Sequence, residues 1–160
     1  MKLAKCLIFK VDKQCFAIRA KMVCDVIEKS QLINKASIQS FESAVFSFKG
    51  MLIPLLDIRK ILGLSIESES LNQSVLIVEF KINGYSELVG IPADEVIEVK
   101  ELDDLLSYPY CSVSDEKQSN LRETILIQNG TPVIMLNTGK NFSERVLQYE
   151  MKQPIYHLAN

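Results

Sequence analysis

Ser47-Phe48-Lys49-Gly50-Met51-Leu52-Ile53-Pro54-Leu55-Leu56-Asp57-Ile58-Arg59 is the stretch from which the fold can be read. Two apolar blocks, residues 44–48 and 51–56, meet across Lys49-Gly50, which reads as a tight turn between two strands. Pro54 has no N–H to give to a ladder, so its strand is expected at an edge or irregular there. Asp57 stands where a helix N-cap belongs, Ile58, Ile61 and Leu62 fall at i, i+3 and i+4, and Gly63 occupies the position of a C′ glycine. The block returns 80 residues later: Gly50, Ile53, Leu55, Leu56, Asp57 and Lys60 match Gly130, Val133, Met135, Leu136, Asn137 and Lys140.

Two further repeats precede these blocks in the same order. Phe9-Lys10-Val11 recurs as Phe80-Lys81-Ile82, and Val26-Ile27-Glu28 recurs as Val96-Ile97-Glu98. Three ordered repeats predict two similar β units of about five strands each, sharing one core because each alone is too small to bury much. The units span about 6–63 and 75–142 of a single domain, 1–160, with a C-terminal helix and tail over about 142–160. Local signals agree with a mainly β chain. Residues 6–11 and 15–18 flank Asp12-Lys13-Gln14 as a hairpin with a three-residue loop. Asn83-Gly84 and Asn129-Gly130 each sit between apolar runs as type I′ turns. Residues 65–74 and 108–122 are polar and aperiodic and read as loops, the second long and mobile. Asn141 and Glu144 form a capping box before Phe142, Val146, Leu147 and Met151, the one long helical pattern, which Pro154 stops.

Composition narrows the function. The 160 residues are 48% hydrophobic with a net charge of −2, a balance that supplies little of the positive field nucleic-acid binding draws on. The one histidine, His157, argues against histidine-based catalysis. The four cysteines, Cys6, Cys15, Cys24 and Cys111, form no C-x-x-C pair and read as small buried hydrophobes in a reducing compartment. The apolar start at residues 6–9 is too short for an export signal, and no run of about 18 apolar residues occurs, so no membrane insertion is expected. Asp94, Glu95, Glu98, Asp103 and Asp104 read as solvated carboxylates, with no motif demanding acid/base work. Gly139-Lys140-Asn141 lacks the glycine and the Ser/Thr of a phosphate loop.

These landmarks resemble the CheW-like family of chemotaxis coupling proteins and kinase regulatory domains. Residues 47–59 follow its N-L-R-G-x-x-[IV]-P-[VI]-[IV]-D-L-R block, Gly90-Ile91-Pro92-Ala93-Asp94-Glu95-Val96-Ile97-Glu98-Val99 follows G-L-x-V-D-x-V-x-E-V, and residues 130–137 stand for the closing block. The resemblance implies two intertwined SH3-like five-stranded barrels with short helices. It implies a non-enzymatic adaptor, without cofactor, that couples chemoreceptor cytoplasmic tips to the regulatory domain of a CheA-type histidine kinase and meets other CheW-like domains. Its place would be cytoplasmic, recruited to receptor arrays.

The resemblance also selects the candidate site. Val23, Asp25 and Lys49 are the receptor-facing set, and Gly50, Met51 and Gly130 are barrel-turn contacts. The family's Val-x-Glu is here Val23-Cys24-Asp25, and its turn arginine is Lys49, so Asp25 and Lys49 are expected to form a shorter pair of the same signs without the bidentate fork of arginine. Pro92 departs from the pattern by removing a donor inside a strand motif. Two other readings are an adaptor for another receptor and kinase system, such as twitching motility, and an enzyme built on Glu98, Asp103 and Asp104.

Overall fold

The computed structural model describes residues 4–28, 45–64, 74–82, 84–109 and 122–136. The strands are β1 (Lys5–Val11), β2 (Gln14–Arg19), β3 (Val23–Glu28), β4 (Val45–Phe48), β5 (Met51–Pro54), β6 (Ser74–Ile82), β7 (Tyr85–Ala93), β8 (Glu95–Glu101), β9 (Leu106–Pro109), β10 (Arg122–Gln128) and β11 (Thr131–Leu136). Among the described residues one α-helix, α1 (Ile58–Ile61), follows β5, and 3₁₀ turns at Ala20–Met22 and Leu102–Asp104 precede β3 and β9.

Six strands form one sheet in the order β8-β1-β2-β11-β10-β9, and three form another, β3-β6-β7. The β4-β5 hairpin joins the second sheet through a parallel bridge from Leu55 to Gly90, with the Leu56 N–H donating to the Gly90 carbonyl at 2.7 Å. The smaller unit therefore reads β3-β6-β7-β5-β4. The larger reads β8-β1-β2-β11-β10 with β9 added, and its β2-β11 junction is parallel as well. The sequence repeats equate β1 with β6, β3 with β8, and β5 with β11, so the two orders are the same. Each repeat unit gives its first hairpin to the other unit's barrel, which is the physical content of "intertwined".

That exchange explains the composition of the exchanged strands. Leu7, Phe9 and Val11 of β1, with Phe16 and Ile18 of β2, face a core shared with Leu76, Val78 and Phe80 of β6. Cys6, Ile8 and Ala17 point the other way, into the larger barrel against Leu126, Val133 and Met135. Val75 and Ile77 point into the smaller barrel against Ile53 and Leu55. Strands buried on both faces need apolar side chains at every position, which is why β1 and β6 read as continuous runs rather than alternations. The Phe9 and Phe16 rings stack at 5.7 Å within the shared core.

The α1 helix is specified locally at both ends, as its sequence requires. The Asp57 side chain accepts from the Arg59 N–H at 2.9 Å. Gly63, at φ +70°, donates to the Lys60 carbonyl and Leu64 to the Arg59 carbonyl, the paired bonds of a Schellman stop. Ile58, Ile61 and Leu62 then enter the shared core.

Four expectations change in detail. The first hairpin has a two-residue loop, Asp12-Lys13, because Gln14 pairs with Val11. Asp12 adopts φ +58°, and its N–H is taken by the Asp94 carboxylate, which holds the tighter turn. Tyr108, Pro109 and Arg122 belong to strands rather than to a loop, since β9 pairs along β10 from Ile127–Leu106 to Thr124–Pro109. Ser74 likewise opens β6. Pro92 removes no bond: N–H and C=O of one strand residue point the same way, and Gly90, two residues earlier, points toward β5, whose ladder ends there. Pro54 closes β5 opposite Val45, at the corner where the chain leaves β4 for β7. Lys49-Gly50 and Asn129-Gly130 have positive φ at both residues, the type I′ signature, and Ile82–Tyr85 closes a two-residue loop at Gly84. The expected mobile loop and the C-terminal helix lie outside the described residues.

Candidate functional site

The β4-β5 hairpin carries two adjacent apolar residues open to solvent on the smaller barrel. Met51 is 48% exposed and Leu52 68%, while Phe48 is half-buried against the barrel's own core. Type I′ geometry places Lys49 at φ +48°, a conformation that costs a side-chain-bearing residue about 1 kcal/mol or more. The turn thereby holds the Lys49 ammonium over the Phe48 ring, 5.1 Å from its centroid.

Strand β3 carries Asp25. A bulge between Val23 and Asp25 interrupts its pairing with β6, so Asp25 lies opposite Ile77 and Cys24 turns outward. The Asp25 carboxylate accepts from the Val26 N–H at 2.8 Å. Among the described residues no ion pair joins Asp25 to Lys49, so the expected close pair does not form. Val23 is half-buried and packs against the shared core rather than standing clear. Gly50 supplies the second positive φ of the turn, and Gly130 holds the equivalent turn of the other barrel, so these two glycines mark different barrels.

The structure adds residues that no motif marked. Along β6 the row Val75, Ile77, Glu79 points to the interior face of the smaller barrel, and Glu79 pairs with Leu88 of β7. Its carboxylate accepts from the Ser86 hydroxyl at 3.0 Å and from the Cys24 thiol at 3.9 Å. Burial pushes the Cys24 thiol up from its ordinary pKa; Glu79 and Asp25 raise it further, and Lys49 pulls it down. Glu79, Asp25 and Lys49 thus act electrostatically on one sulfur. Nothing local could have singled out Glu79, because it is a lone polar residue inside an apolar run and only the β3-β6 register places it beside Cys24.

The thiol offers a direct check. Although Cys24 is exposed, its raised pKa leaves little thiolate near neutral pH, so it should alkylate more slowly than a free cysteine. Glu79→Gln should speed the reaction and Lys49→Glu should slow it, as followed by peptide mapping of iodoacetamide adducts. Equal rates in all three proteins would contradict the electrostatic grouping.

A second charged cluster is internal. Arg59, a residue only 6% exposed, grips Asp57 through Nε–Oδ1 at 3.0 Å and Nη2–Oδ2 at 2.8 Å, with Asp12 Oδ2 3.8 Å from Nη1. Asp57 above all holds Arg59 charged. This cluster ties α1 to the first hairpin turn and the β7-β8 junction, and it is architecture rather than a binding surface. The carboxylates of the enzyme reading have separate surroundings: Glu98 bonds Gln128 and lies 3.5 Å from Lys100, whereas Asp103 and Asp104 are exposed on a 3₁₀ turn. No group of three His, Cys, Asp or Glu residues able to hold a metal occurs among the described residues. No helix there is long and apolar enough to cross a membrane.

Comparison with known proteins agrees with this architecture. A solved structure with the same fold is that of the scaffolding protein TtCheW from Thermoanaerobacter tengcongensis. The two share 19% identity over 85% of this chain and 90% of that one, with a TM-score of 0.59. No protein with a curated description matches. A family model described as CheW-like domain matches residues 5–146, nearly the whole chain. With its ordered sequence blocks and exchanged hairpins, the chain belongs to the CheW-like domain family, a family of non-enzymatic scaffolds in chemotaxis signalling.

Proposed function

We propose that this chain couples receptors to a kinase: it seats the cytoplasmic tip of a chemoreceptor on the β4-β5 end of the smaller barrel and holds the regulatory domain of a CheA-type histidine kinase at its barrel ends. The observation that carries the receptor side is the exposed Met51-Leu52 pair beside Lys49, held out on a rigid type I′ turn. A receptor tip is a long helical hairpin, and an apolar helix face docks through side chains at i, i+3 and i+4, for which a small protruding apolar edge is a suitable counterpart. Each contact would bury up to about 800 Å² per partner. The larger barrel repeats the same strand order and its own type I′ turn at Asn129-Gly130, so a second partner can be held without competing for the first surface.

The test is co-purification with a receptor tip and the kinase regulatory domain encoded in the same genome. Retention of both at micromolar concentration is expected; retention of neither would end this reading. Lys49→Glu should weaken receptor binding while moving the melting temperature little, since Lys49 is exposed and in no ion pair among the described residues. Loss of folding in that variant would show that Lys49 acts through the turn instead.

A further inference from the structure

We infer that Phe48 is a positioning residue of the receptor surface: its ring holds the Lys49 ammonium at one place on the β4-β5 turn. The inference rests on the receptor-adaptor reading above and adds a residue to it. The protein builds the same turn twice. Phe48-Lys49-Gly50-Met51 and Gln128-Asn129-Gly130-Thr131 stand 80 residues apart in the sequence. In each the outer two residues pair across the hairpin, Phe48 with Met51 and Gln128 with Thr131. The inner two have matching φ values, +48° and +79° in the smaller barrel and +50° and +79° in the larger.

Matched backbones make the side chains an internal comparison. Asn-Gly is the ordinary solution of a type I′ turn, because asparagine enters the left-handed region more readily than a long side chain does. Lysine at the first position is the costlier choice, and nothing in the backbone of the turn asks for it. What lysine supplies is an ammonium, and Phe48 fixes where it lies, 5.1 Å from the ring centroid. The ring is itself held, since Phe48 packs against the core of Ile53, Leu55, Val75 and Ile77. A lysine head that would otherwise sample many rotamers is placed before a partner arrives, which lowers the entropy lost on binding. Met51, paired with Phe48 across the hairpin, and Leu52 are open to solvent beside the same turn. At the equivalent turn of the larger barrel the flanking pair is polar, and Gln128 donates to the Glu98 carboxylate instead.

The experiment measures binding of the full chain to a dimeric chemoreceptor tip encoded in the same genome, with Phe48→Leu, Phe48→Tyr and Lys49→Asn variants and the double variant of Phe48→Leu with Lys49→Asn. Phe48→Leu keeps an apolar side chain and removes the ring. It is expected to weaken binding about 2- to 5-fold, and Phe48→Tyr, which restores a ring, to bind as wild type. Lys49→Asn should weaken binding at least as much while melting at or above the wild-type temperature. Adding Phe48→Leu to it should weaken binding no further, which separates positioning of Lys49 from packing by Phe48. In the unaltered chain the Lys49 Hε protons should resonate upfield of their usual position through the Phe48 ring current, a measurement that depends on no variant folding. Wild-type affinity in Phe48→Leu or Lys49→Asn, fully additive losses in the double variant, or unshifted Lys49 protons would overturn the inference and leave the adaptor reading standing. Failure of the unaltered chain to bind the tip would overturn both.

Discussion

Arg59→Ala is expected to remove about 3–5 kcal/mol of folding stability, read as a shift of the urea midpoint at unchanged slope. The side chain is 7% exposed and its fork is closed on the Asp57 side chain, itself 8% exposed. Truncation leaves that carboxylate buried without its cation and leaves Asp12, on another chain segment, without the same neighbour. The loss should exceed that of a surface change by an order of magnitude; Lys60→Ala, one residue along and exposed, should stay within about 0.5 kcal/mol. Asp57→Asn separates the charge from the cap, because asparagine caps a helix about as well as aspartate. If the buried pair is the source, Arg59→Met combined with Asp57→Asn should lose less than the two single losses added together. Additive losses would mean that Arg59 stabilises through its stem and not through Asp57.

Gly90→Val should destabilise nearly as strongly, and for a steric reason. A Cβ at Gly90 would stand 2.8 Å from the Leu55 Cδ2 and 2.9 Å from the Val75 Cγ1, both in the packed interior of the smaller barrel. This is also where β5 crosses to β7, through the Leu55 bridge and the Leu56–Gly90 hydrogen bond, so the insertion pushes apart the strands that close the barrel. Overpacking of this kind costs about 1–3 kcal/mol for Ala, and the larger Val should lie at or above the top of that range. Val75→Ala in the same chain should recover part of the loss by opening space on one side. Gly84→Asn provides the contrast: its φ is +82° but nothing lies within 4 Å, and asparagine tolerates that conformation, so only a small loss is expected. A Gly90→Val protein as stable as wild type would show that the barrel closes some other way.

Both positions sit inside blocks that carried the family resemblance, yet neither role could be read from them. Arg59 lies on a short helix beside exposed Lys60 and looks like a surface cation in the sequence; its burial follows from Asp12 and Asp94, which arrive from distant parts of the chain. Gly90 reads as a generic strand glycine until β5 is seen to lie against it. Glu79 reads as a polar interruption in an apolar strand until β3 is paired with β6. The three-residue loop expected at Asp12 failed for a related reason, since the Asp94 carboxylate that takes the Asp12 N–H is supplied by the β7-β8 junction. The edge strand β9 was missed because Leu106, Ser107 and Tyr108 are all exposed, so no alternation of burial marks them as a strand.

By itself the sequence determined what short-range physics controls. Type I′ turns at Lys49-Gly50 and Asn129-Gly130 follow from which residues accept positive φ, and the α1 helix from Asp57 at one end and Gly63 at the other. Two-sided burial of β1 and β6 follows from runs with no polar face, and the repeat of three ordered blocks required two like units. Tertiary structure alone decided that the units exchange their first hairpins, that Arg59 is buried among carboxylates, and that Glu79, Asp25 and Lys49 act on one thiol. The reason is that turns and caps are settled by steric and hydrogen-bond choices within a few residues. Register between distant strands is settled only when the shared core closes, and the charges around the Cys24 thiol are grouped by that closure.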